Sequence, residues 1–191
     1  IRPVLKKYAK VENLEDIGEL IESLESKLFA EDEEGPEDEW VGFDSIVSVL
    51  RHVRESMDEM FVISKSAIVS AEESIFRFPR RVMEAFEVMV KSYPHILNRA
   101  KSNQSLDYAK VFRSHGETAF EVANSESAAT MKRHSGSREF IVEGEKFQMQ
   151  PHIKIGKNFS PDKCLRIHFT FDRDKEKFLI GHCGQHLPIV K

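Results

Sequence analysis

The chain has 191 residues, 40% of them hydrophobic and 31% charged, with a formal net charge of -4. That length suffices for one domain with a full core or for two small ones, and no apolar run approaches the roughly 18 to 20 residues of a membrane span. The opening IRPVLKKYAK lacks the apolar stretch of a secretory leader, and a start on Ile1 rather than Met reads as part of something longer. Two cysteines, Cys164 and Cys183, fit unpaired thiols in a reducing cytoplasm better than a disulfide framework.

Charge divides the chain. Residues 1–137 hold 18 Lys and Arg against 25 Asp and Glu, whereas 138–191 hold 10 against 7. An acidic front half repels nucleic acid, so any phosphate-binding role falls to the basic tail. The first helix is expected where Leu14, Ile17, Leu20, Ile21, Leu24 and Leu28 draw one apolar stripe. It leads into AEDEEGPEDEW, read as a solvated acidic loop at 31–39, with docking of a basic protein partner on this acidic helical region as the sharper alternative. A second helix, capped by Asp44, buries Ile46, Val47, Leu50, Val53 and Met57. A third covers VISKSAIVSAEESIF, whose serines and alanines let a neighbour approach its backbone closely. Pro79 suits the first turn of a fourth helix, which presents Val82, Phe86, Met89 and Val90 and is expected to end or kink at Tyr93-Pro94. A weaker helix spans LDYAKVFRSHG, with Gly116 as its terminator.

Residues 1–124 thus read as a helical region, and SESAATMKRHSGS (125–137) as a linker or ordered loop. From 138 to 191 the apolar period changes to two. REFIVEGEKF reads as a hairpin turning near Glu143-Gly144. KFQMQPHIKIG reads as a strand with Phe147, Met149, Ile153 and Ile155 on one side. CLRIHFTFD repeats the alternation, and KFLIGHCG follows the charged turn RDKE. The expected fold class is α+β: helices packed on a four-stranded, mainly antiparallel meander.

On the polar side of that sheet, His152, Lys154, Arg166 and His168 alternate onto one face, and His182 and His186 stand at the end of the last strand. Histidine exchanges protons near neutral pH, while Lys and Arg stabilise a developing oxyanion or pentacovalent phosphate. The set suits metal-independent cleavage of RNA: Arg166 and Lys154 against the phosphate, His168 or His152 as base and acid, His182 and His186 completing or orienting them. It suits equally the holding of RNA or another phosphorylated ligand without cutting it, and an ordinary solvated face is the plain alternative. GHCGQH also admits a zinc set of His182, Cys183 and His186 joined by Cys164 and His168, although neighbours in a strand point to opposite faces. No cofactor is required by the main reading. Phosphate-cradling, nucleophile-elbow and H-E-x-x-H signatures do not occur.

The blocks FQMQPHIKIG, CLRIHFTFD and IGHCGQHLP, preceded by SAEESIFRFPRRVMEAF, resemble a C-terminal segment of uncharacterised bacterial proteins, over residues 62 to 188. In layout the sheet is similar to RelE/ParE-type toxins. That resemblance implies a toxin or phage-defence ribonuclease; the acidic front and modest charge depart from it. The rival function is a non-catalytic protein-interaction module of a larger protein.

Overall fold

The computed structural model describes residues 42–115, 120–156 and 160–190. The helix expected at Leu14–Leu28, the acidic loop and Gly116 lie outside the described residues. The boundary between the chain's two units falls after Gly42, and the fold that follows is that of Phe43–Lys191. Its elements are α1 (Ile46–Ser56), β1 (Phe61–Ile63), α2 (Lys65–Glu72), α3 (Pro79–Lys101), α4 (Tyr108–Arg113), β2 (Phe120–Ala123), α5 (Ala128–His134), β3 (Glu139–Val142), β4 (Glu145–Gln148), β5 (His152–Ile155), β6 (Leu165–Asp172) and β7 (Lys177–Gly184). Among the described residues, no helix is long and apolar enough to cross a membrane.

The α+β class holds, but the sheet differs from the expected four-stranded meander. Five strands lie in the order β1-β7-β6-β5-β2, with β1 parallel to β7 and the other pairs antiparallel. β3 and β4 form a separate hairpin around Glu143 and Gly144, both with positive φ, as a tight two-residue turn requires. KFQMQPHIKIG is therefore two strands. The chain leaves the hairpin at Met149, and Pro151, which lacks a donor, stands at the crossing while its carbonyl accepts from Phe169 N.

Helix signals appear close to where composition places them. Ser45, one residue after Asp44, caps α1 in a reciprocal pair with Ser48. Pro79 opens α3 as expected, yet the helix continues through Pro94 to Lys101. Pro94 is exposed, and Met89, Ile96 and Ala100 bury their side chains on either side of it, so packing outweighs one missing hydrogen bond. Residues 125–137, expected as a linker, contain α5, capped by Ser127. At 62–76 a parallel strand precedes a helix shorter than expected, because Phe61 and Ile63 are needed in the sheet.

One sheet face carries Phe61, Ile153, Ile155, Leu165, Ile167, Phe169, Phe171, Phe178 and Ile180 into the core beneath α1 to α4. Phe178 is its hub, with ring centroids of Phe61, Phe169 and Phe171 at 5.6, 6.0 and 5.1 Å. Beyond Ile180, β1 has ended and α2 takes its place along β7. Ser64 and Ser66 hydroxyls donate to Gly181 O at 3.3 and 2.8 Å, and Ser70 Oγ accepts from Cys183 N at 2.9 Å. The close approach rests on Gly184, where a Cβ would stand 2.5 Å from Ser70 O. The Ser and Ala content of α2 thus has the expected use. Truncating Phe178 to Ala should cost about 3–5 kcal/mol of stability, read from urea denaturation with an unchanged m-value.

Candidate functional site

The polar face of the sheet is built by register. His152 lies opposite His168 and His168 opposite His182, so one histidine from each of β5, β6 and β7 forms a row. The next row on this face pairs Lys154 with Glu121 on β2 and with Arg166 on β6. Simple alternation would turn His182 to the side of Phe178 and Ile180. A register shift beside His168 and Phe169 leaves Gly181 as an extra residue, and the bulge returns His182 to the histidine face while Cys183 enters the helical core.

That face is covered, and by the hairpin. Phe140, Val142, Met149 and Leu179 make a second small core with Val62, Phe147 and Leu187. The Phe140 ring lies 6.3 and 6.4 Å from those of His168 and His182. Gly181 permits the contact, since a Cβ there would stand 2.4 Å from Phe140 Cγ. His152, His168 and His182 consequently retain only 5, 1 and 8% of their exposure.

Two residues that sequence reasoning passed over complete the cluster. Arg138, fully buried, donates from Nε and Nη2 to Glu126 Oε1 at 3.0 and 2.8 Å and from Nη1 to the carbonyl of Pro188. Glu126 Oε1 is 3.9 Å from His152 Nδ1. The signal for Glu126 was slight, a carboxylate in a polar stretch read as a linker or ordered loop, and Arg138 looked like one of many tail cations.

Each buried ring has a fixed tautomer, because a carbonyl oxygen can only accept. His152 Nδ1 donates to Gln150 O at 2.9 Å, His168 Nδ1 to Met149 O at 3.2 Å, and His182 Nε2 to Gln185 O at 2.7 Å. Desolvation leads in holding all three below the ordinary value of 6.5, His168 furthest; the neighbouring rings and Arg138 add to the shift of His168.

Of the remaining expected site residues, Lys154 and Arg166 occupy the adjoining row and His186 lies beyond the end of β7. Arg166 is half-buried, its Nη1 donating to Leu165 O at 2.9 Å while Nε has no hydrogen-bond partner among the described residues. Lys154 is half-buried beside it, and His186 is exposed beyond β7, its ring bonded to Leu187 O. The zinc set imagined in GHCGQH does not assemble. His182 and Cys183 face opposite sides, and Cys183 lies in the helical core, where burial pushes its thiol up. Both cysteines are free and buried. Among the described residues, the group with donor atoms close enough for a metal is Glu126, His152 and His168, all within 4.8 Å of one another.

A second feature lies at the edge of the hairpin. A cavity of about 1010 Å³ runs between β1 and β3, lined by Val62, Ile63, Phe140, Ile141 and Val142 and rimmed by charges of both signs.

Two outcomes follow. Unfolded histidines titrate near 6.5 and the buried three lower, so the unfolded chain binds more protons in between. Stability in chelator should be level above about pH 7.5 and fall as pH drops through 6.5. His168→Asn should flatten that slope in a series of thermal melts. Arg138→Ala should cost about 3–5 kcal/mol by leaving Glu126 unpaired, and replacing both partners by Leu and Met should recover most of it in the same denaturation assay. No family model, curated protein or solved structure matches the chain.

Proposed function

We propose that the chain is a non-catalytic interaction module that takes an extended segment of a partner protein into the groove between β1 and β3. The observation that carries this reading is Ile141, an apolar side chain 66% exposed on a strand that pairs on one side with β4. Among the described residues the other edge of that strand is unpaired; an exposed β-branched residue on such an edge invites pairing, and a chain in water keeps one at a cost unless something covers it. β1 is likewise the terminal strand of its sheet. The groove therefore offers backbone donors and acceptors from two edges, with apolar positions between them, which is the chemistry of strand addition. Arg54, Lys65 and Lys177 on its rim face Asp58, Glu139 and Glu143, favouring a segment with an apolar centre and charges of both signs.

The catalytic reading fares worse on access. A base for RNA cleavage must reach a ribose hydroxyl, and a donor must reach the leaving oxygen. The three row histidines are covered and already spend one ring nitrogen on a carbonyl. Lys154 and Arg166, in the adjoining row of the same face, and His186 keep partial or full exposure, so a phosphate could reach the cations more readily than the rings. Free, buried cysteines fit a reducing, cytoplasmic setting.

A photo-crosslinking residue placed at Ile141, and separately at Arg166, in the full chain within its native cells separates the two readings. The module reading expects a discrete protein adduct from position 141 that weakens at least fivefold when Lys177→Glu and Lys65→Glu alter the rim. It also expects RNA to stay intact with the purified protein in chelator. RNA adducts from position 166, with cleavage abolished by both His168→Ala and Arg166→Ala, would overturn it.

A further inference from the structure

The histidine row has a chemistry that the groove does not use. Glu126, His152 and His168 come from the loop before α5, from β5 and from β6, and the sheet register and the Arg138 contact hold them together. One carboxylate and two imidazoles is a donor set suited to zinc or iron(II), with room for a further ligand. The two rings are 4.8 Å apart between centroids, with His182 5.8 Å from His168. Two imidazoles on one tetrahedral ion, bonded at about 2.0–2.1 Å, put their centroids roughly 5 Å apart.

The carbonyl bonds of the rings fit such a site. Metal-bound histidines donate the second ring nitrogen to a carbonyl or carboxylate, which fixes the tautomer. His152 and His168 each make such a bond, to the adjacent carbonyls of Gln150 and Met149 where the chain crosses from hairpin to sheet. Both bonds that Arg138 donates to Glu126 fall on Oε1, so Oε2 receives neither. We propose that Glu126, His152 and His168 form a three-ligand site for a divalent transition-metal ion. Their donor atoms lie within 4.8 Å of one another, against about 3.3 Å in a bound tetrahedral set, so binding contracts the cluster by small side-chain rotations. Arg138 opposes the incoming charge and competes for the carboxylate.

The test is a titration of the chelator-treated full chain with cobalt(II), read by visible absorption. One equivalent should bind with the strong bands of a low-coordinate ion, and zinc should displace it and raise the melting temperature. Glu126→Gln and His168→Asn should each weaken binding tenfold or more. His186→Ala, at an exposed position outside the cluster, should leave it unchanged. Should the ligand variants not fold, nitrogen NMR of the parent protein decides: zinc should shift the ring resonances of His152 and His168. Absence of binding by the parent, shifts confined to exposed histidines, or parent-like affinity in both ligand variants would overturn the assignment.

Discussion

The buried pairing of Arg138 with Glu126 is the constraint on which the polar side of this fold depends. A guanidinium and a carboxylate removed from water each cost several kcal/mol, and they are tolerated only because geometry satisfies them. Here the guanidinium reaches the loop before α5 through Glu126 and the C-terminal segment through the Pro188 carbonyl, while its own backbone carbonyl accepts from Met149 N at the exit of the hairpin. One residue, through its side chain and its carbonyl, thereby ties three peripheral segments over the sheet. The apolar cluster around Phe140 and Met149 adds burial, but it is small, and the ionic contacts fix where it sits.

The two faces of the sheet are consequently held by different physics. On the helical side, an aromatic core centred on Phe178 relies on area removed from water, a non-directional force that tolerates modest repacking. On the hairpin side, directional bonds to ring nitrogens and a guanidinium set the geometry, and each unsatisfied group would be costly. A row of imidazoles kept neutral in such a place is poised: its protonation state, and any ion it holds, bears directly on whether the hairpin stays down.

Much of this was legible in the residues. Period-two alternation in CLRIHFTFD put His168 and Arg166 on one face and Ile167 and Phe169 on the other, because a long central strand leaves alternation undisturbed. The turn at Glu143-Gly144 and the start of α3 at Pro79 were written in local chemistry. What the sequence hid was tertiary. A parallel partner for β7 came from Phe61–Ile63, over a hundred residues earlier, inside a stretch that local pattern read as helix. Phe147 and Met149 share the parity of Ile153 and Ile155, yet Pro151 separates two strands and sends the two pairs to opposite faces. The same hairpin lies over the histidines that alternation had exposed, and Glu126 and Arg138 gained their roles only through that burial.

The bulge at Gly181 makes side-chain direction in the last strand a matter of counting. Were Gly181 paired as a regular strand residue instead of bulged out, the imidazole at 182 would be driven among phenylalanines and the thiol at 183 would come to rest under the hairpin, with no change of composition at all. A comparison of related chains that aligns this strand without a gap would therefore assign its last residues to the wrong layers, and the glycine is the mark by which to place them.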